Sequence, residues 1–155
     1  MDLYDELTQL IAALDRNGIP YAICGGIAVA IHGYARFTRD IDVLIEPKTL
    51  TRTLEVAENL GFTIDAGTTT FDEATPRERR LRSVSKADGT GVLTLDLILA
   101  AGALTEAWAT RESHEWDGRP LVVVSRRGLE AMEKLSARPQ DRLDLEMLDG
   151  GDRSQ

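Results

Sequence analysis

The chain has 155 residues, 43% hydrophobic and 28% charged, with a net charge of −8. That length suits one ordinary domain able to bury roughly 68–70% of its unfolded surface. The acidic balance excludes a body that grips nucleic acid over its whole surface through the phosphates.

Leu3, Leu7, Leu10, Ile11 and Leu14 recur at helical spacing over residues 2–16, and Asn17-Gly18 ends that helix. This acidic, amphipathic start lacks the basic and apolar regions of a secretory signal. No apolar run reaches the ~18 residues of a membrane span. Residues 20–24 read as a short strand running into Gly25-Gly26. The following IAVAIHGY is a short helix closed by Gly33. Residues 40–46 form the next strand, stopped by Pro47. KTLTRTLEVAENLG is an amphipathic helix, with Leu50, Leu54, Ala57 and Leu60 on one side and Gly61 as its cap. FTIDA is a short strand.

Residues 67–78 are polar and predict a loop. Residues 79–86 and 91–99 alternate around Asp88-Gly89 and predict a hairpin. HEWDGRPLVVVS predicts another, with Asp117-Gly118 at its tip. Helices follow near 126–137 and 139–148. We therefore expect one α+β (mixed α/β) domain over 1–148, with a frayed tail at 149–155. The lone Cys24 has no partner for an internal disulfide, which together with the missing signal points to the cytoplasm. Basic residues cluster at Arg77, Arg79, Arg80, Arg82 and Lys86. A second group is Arg126, Arg127, Lys134, Arg138 and Arg142. An acidic body can thus carry a local basic cleft.

Asp40 and Asp42 open an otherwise apolar strand, and side chains two apart share a face. Two ionised carboxylates that close repel, and burying them without a partner is costly. Mg²⁺ resolves the conflict, being a hard ion held by carboxylates and substrate phosphates. The bland reading is a solvated strand end. LTLDLILA sets a third aspartate, Asp96, among apolar residues, where a charge is either paired to an arginine or functional. Gly25-Gly26 lets backbone approach a ligand, and the helix start beyond them offers N–H groups to a phosphate. An ordinary tight turn would look the same. Neither a dinucleotide fingerprint nor a P-loop is present.

The order GGIAVAIHGYARFTRDIDVLI followed by LDLIL resembles the DNA polymerase β-like nucleotidyltransferase superfamily. Within it, G-G-x-A…R-x-T-x-D-x-D is similar to the AbiEii-type enzymes, many of them toxins of toxin–antitoxin pairs. KLSARPQDRLDLEML is similar to that group's closing segment. The resemblance implies a mixed, mostly antiparallel sheet packed against helices. It implies that Asp40, Asp42 and Asp96 bind metal and catalyse, with Asp96 helping to deprotonate the attacking hydroxyl. Gly25, Gly26 and Lys134 would meet the triphosphate, and Asp141 and Asp144 would serve the nucleotide pocket. Many members carry Gly-Ser where this chain has Gly25-Gly26, which removes a hydroxyl but keeps the backbone donors.

Such a site suits two Mg²⁺ ions, or Mn²⁺ in their place, flanking an in-line displacement. An acceptor hydroxyl attacks the α-phosphorus of a nucleoside triphosphate and pyrophosphate leaves. Arg36, Arg39 and Lys134 are candidates to neutralise its charge, although Arg36 and Arg39 could equally pair with nearby acids. The acceptors considered are tRNA or another RNA end, a protein hydroxyl and a small molecule. A toxin with a cognate antitoxin is the first reading. The alternatives are an aminoglycoside-like antibiotic nucleotidyltransferase and a non-catalytic nucleotide-binding or interaction module. His32 reads as a packing or capping residue. His114 has no Cys or His at metal-ligand spacing, which argues against zinc. Cys24, Trp108 and Trp116 read as packing residues.

Overall fold

The computed structural model describes residues 1–34, 38–136 and 139–153, with the backbone alone at 139–141 and 150–153. Helix α1 (Leu3–Arg16) starts where the Asp2 carboxylate accepts the backbone N–H groups of Tyr4 and Asp5, satisfying two donors that the first turn leaves open. Its stripe of Leu7, Leu10, Ile11 and Leu14 is buried. The chain then forms β1 (Ala22–Cys24), α2 (Gly25–Ile31), β2 (Asp40–Ile45), α3 (Leu50–Asn59), β3 (Ile64–Phe71), β4 (Arg79–Asp88) and β5 (Gly91–Leu99). It closes with α4 (Thr105–Ala109), β6 (Glu112–Trp116), β7 (Arg119–Val123), α5 (Arg126–Ser136) and α6 (Pro139–Arg153). No described helix is long and apolar enough to cross a membrane.

The seven strands form one sheet in the order β3-β4-β5-β2-β1-β7-β6. β2 runs parallel to β5 and β1 parallel to β7, while the other neighbours are antiparallel. The mostly antiparallel mixed sheet is therefore present as expected. Both parallel pairs lie inside the sheet, and neither includes an edge strand. Ile41, Val43 and Ile45 of β2 and Leu95 and Leu97 of β5 are fully buried on one face. On that side Lys86 Nζ donates to Glu6 Oε2 of α1 and to the Leu60 carbonyl after α3, each at 2.9 Å. Asp42 and Asp96 alternate onto the other face, where α5 supplies Glu133.

Three elements differ from the sequence reading, and the last helix runs on to Arg153, into the expected tail. The expected loop at 67–78 is strand as far as Phe71. β3 is the sheet edge and is largely exposed on both sides, so it carries no apolar alternation to read. Its β-branched Thr68–Thr70 run pairs with Arg80–Arg82 regardless. Helix α2 begins at Gly25 itself rather than after the glycine pair. The short α4, packed on α5, has no periodicity long enough to signal it.

A bulge between Asp65 and Gly67 kinks β3, with Gly67 at φ +81°. Arg82 grips the Asp65 carboxylate with Nε at 2.9 Å and Nη2 at 2.5 Å. This hydrogen-bonded guanidinium lowers the Asp65 pKa to about 2. A carboxylate lowered on folding stabilises the native state above its unfolded pKa, and the contribution is lost as pH falls through the folded value. The melting-temperature gap between wild type and Asp65→Asn should therefore be constant above about pH 5. It should close between about pH 4 and pH 2 in a thermal-denaturation series.

Candidate active site

β1 feeds into α2 without a loop, and the join is made by Gly25 at φ +64°. A Cβ built on Gly25 would lie 2.0 Å from Asp42 Oδ2. No side chain fits there, and any residue other than glycine would also be strained by the left-handed backbone. The Asp42 carboxylate thus lies directly against the strand-to-helix turn. Cys24 is the cross-strand partner of Asp42 on β1, and Asp96 is its in-register neighbour on β5.

Adjacent strands lie about 4.8 Å apart, so the register sets the Asp42 and Asp96 carboxylates side by side. Ser83 Oγ donates to Asp96 Oδ1 at 2.5 Å from the next strand. Glu133 is 5% exposed on α5 and faces the same cavity of about 210 Å³, which Gly25, Asp42 and Asp96 also line. Two charges about 5 Å apart repel by roughly 3 kcal/mol at an effective dielectric of about 20. The Cys24 thiol registers this concentration of acid. Burial pushes its pKa well above the usual range, and Asp42, Glu133 and Asp96 raise it further. Cys24 is thus an inert buried residue, in keeping with its apolar strand.

The rest of the cavity lining is basic, aromatic and apolar, the last supplied by Leu81, Ile98, Leu104 and Met132. Arg79 and Arg80 line it together with Phe71, and the Arg79 guanidinium lies 5.2 Å from the Phe71 ring centroid. Arg79 Nη1 also donates to Asp72 Oδ2 at 2.6 Å. The sequence reading allows a local basic cleft from this arginine cluster but does not place it beside the aspartates. It missed Glu133, although a charge four residues beyond the buried Leu129 stands on the helix face that packs inward.

The other residues named from sequence are more scattered. Asp40 is at the exposed start of β2, one pleat before Asp42. Gly26 is buried in α2. Arg39 is exposed and lines a separate depression with Met1, Leu3 and Thr90. Lys134 is exposed and is not among the residues lining the cavity; its carbonyl accepts from Arg77 Nη2 at 3.4 Å. Asp144 is fully buried in α6. Arg36 and the side chain of Asp141 lie outside the described residues.

This arrangement of sheet, double-glycine turn and paired aspartates is a nucleotidyltransferase fold. The crystal structure of ANT(2'')-Ia in complex with adenylyl-2''-tobramycin has 16% sequence identity and a TM-score of 0.57, over 92% of this chain and 84% of that one. The solution structure of the same antibiotic-resistance factor has 17% identity and a TM-score of 0.56, over 99% and 94%. TM1012 of Thermotoga maritima, assigned as a nucleotidyltransferase, has 13% identity and a TM-score of 0.54, over 97% and 96%. No curated protein matches the sequence. The chain belongs to a nucleotidyltransferase family: its residues 1–124 match the one described as "Uncharacterised nucleotidyltransferase".

Replacing Gly25 tests the close approach of Asp42. Gly25→Ala should lose about 1–2 kcal/mol from left-handed strain alone, read by urea denaturation. Displacing the Asp42 carboxylate by about 1 Å should reduce nucleotidyl transfer on the order of 10²-fold, read as initial rate on the fraction that remains folded.

Proposed function

We propose that this chain is a Mg²⁺-dependent enzyme that moves a nucleoside monophosphate from a nucleoside triphosphate to an acceptor hydroxyl. The observation that carries the reading is the in-register pairing of Asp42 with Asp96 beside the Gly25 turn. The donor set fits the ion. Carboxylate oxygens from two strands converge at a cavity, and Asp40 stands one pleat away. Asp40, Asp42 and Asp96 would hold the metal. When bound, a pair of divalent ions would stabilise the attacking and leaving oxygens of an in-line displacement.

The chain's own groups supply the rest. Asp96, fixed by Ser83, is the base that takes the proton of the attacking hydroxyl. Gly25 and Gly26 would offer backbone N–H groups to phosphate oxygens at the start of α2. We assign phosphate charge neutralisation to Arg79 and Arg80, which line the cavity, ahead of Arg39 and Lys134. Phe71, 40% exposed at the rim, offers a flat apolar surface to a nucleobase.

For the acceptor, the glycine-to-D-x-D motif supports an AbiEii-type toxin acting on an RNA end such as that of tRNA, restrained by a cognate antitoxin. Charge favours a second reading. Arg77 and Arg79 pair with Asp72, Arg80 with Glu78 and Arg82 with Asp65. These pairs offset part of the strip's charge, leaving less for a long polyanion than its arginine count suggests. A cationic small acceptor of aminoglycoside type would suit the acidic lining of the cavity better than a polyanion would.

Asp42→Asn and Asp96→Asn should each lower transfer by about 10²-fold or more, the loss of several kcal/mol of transition-state stabilisation. The assay follows α-labelled triphosphates, all four bases, into total RNA and into a panel of aminoglycosides. Label on RNA supports the first acceptor, and label on an aminoglycoside the second. Nucleotide binding without transfer to any acceptor would overturn the enzymatic reading. Ser83→Ala, which frees Asp96 to rotate, should raise the Mg²⁺ concentration for half-maximal rate by about 10-fold; an unchanged Mg²⁺ dependence would remove Ser83 from the site.

A further inference from the structure

Helix α2 has a second functional end. Gly25 lies at its start, against Asp42, and His32 caps its other terminus. His32 Nε2 lies 2.9 Å from the Val124 carbonyl. A carbonyl only accepts, so Nε2 is the donor of this bond, and in the neutral ring Nδ1 is the nitrogen that can ligate. A ring nitrogen held this way, with its partner nitrogen presented, is the usual state of a metal-bound histidine.

Beside it, Glu112 and His114 are two apart on β6 and share a face. His114 Nε2 lies 2.9 Å from Glu112 Oε1, and one ligand atom from each of His32, Glu112 and His114 lies within 4.8 Å of the others. The two imidazole centroids are 5.4 Å apart. Two imidazoles on one tetrahedral Zn²⁺, with Zn–N about 2.0–2.1 Å, place their centroids about 5.2 Å apart. The sequence reading set zinc aside because His114 has no ligand at short spacing, whereas the fold supplies the missing one from α2.

We propose that His32, Glu112 and His114 form a second metal site, selective for a borderline divalent transition ion of the Zn²⁺ class. It is separate from the carboxylate site that Mg²⁺ would occupy. Two nitrogens and one oxygen are the donor set of an open zinc site and a poor one for Mg²⁺, which takes oxygen ligands. The ion would pin the end of α2 to the β6–β7 hairpin and so steady the helix whose other end forms the Gly25 turn.

The test is a titration of the full-length, chelator-stripped chain with Zn²⁺ against a chromophoric chelator, in excess Mg²⁺ to fill the carboxylate site. One equivalent should bind. Glu112 is exposed, so Glu112→Gln leaves the fold intact; it and His114→Gln should each weaken Zn²⁺ binding by more than about 10-fold, while Asp42→Asn leaves binding unchanged. Zn²⁺ should also raise the melting temperature of wild type but not of Glu112→Gln. Absence of stoichiometric binding would overturn the proposal. So would binding that survives Glu112→Gln but disappears in Asp42→Asn, since the ion would then belong to the sheet carboxylates. The readout is binding and stability, so the result stands whether or not nucleotidyl transfer is found.

Discussion

The parallel pairing of β2 with β5 is the constraint on which the rest of the molecule depends. It puts Asp42 level with Asp96 and forces two like charges to share one face of the sheet. Much of the surrounding sequence accommodates that choice. The residue facing Asp42 across the turn has no side chain, because even a methyl group would collide with the carboxylate. The residue paired with Asp42 on β1 is a small neutral thiol, held protonated by burial and by the acids around it. A serine on the far side of Asp96 holds one of its oxygens. An alternative register, one residue out, would turn one of the two acids into the apolar layer of Leu95 and Leu97 and cost a buried charge.

The cavity at this pair has a mixed lining: acidic from Asp42, Asp96 and Glu133, basic and aromatic from Arg79, Arg80 and Phe71, and apolar from Leu81, Ile98, Leu104 and Met132. A nucleoside triphosphate has matching parts: an oxygen-rich chain that needs cations and a flat base that needs a surface. The acidic lining comes from the sheet centre and one helix face, and the basic and aromatic lining from β3 and the start of β4, at the sheet edge.

The sequence made the elements more legible than their adjacency. Helical spacing locates α1, and period-two alternation locates β5 and places Asp40 and Asp42 on one face. Nothing local in the sequence says that β5 lies beside β2, because a parallel register is set by the packing of the whole sheet. Likeness to a family supplied that link. Glu133 was readable in principle, as a charge at an inward helix position, but a helix in an acidic chain carries many charges. His32 caps α2, in keeping with its reading from sequence, whereas its nearness to His114 on β6 is a product of the fold that spacing along the chain does not show. The start of β3 is legible as the strand FTIDA, but its continuation over 67–71 reads as loop because an edge strand with two exposed faces has no hydrophobic signature.

The kink in β3 has a bearing on how the protein behaves at high concentration. An outermost strand leaves a row of N–H and C=O groups ready to recruit the same strand from another molecule, and Ile64 and Phe71 would make such stacking adhesive. The extra residue between Asp65 and Gly67 breaks that row, and the clamped Asp65–Arg82 pair adds charge beside the break. At the opposite border of the sheet, β6 is short and carries exposed Glu112 and Glu115. Both open borders are therefore poor templates, and growth into fibres by edge-to-edge addition is discouraged at each end.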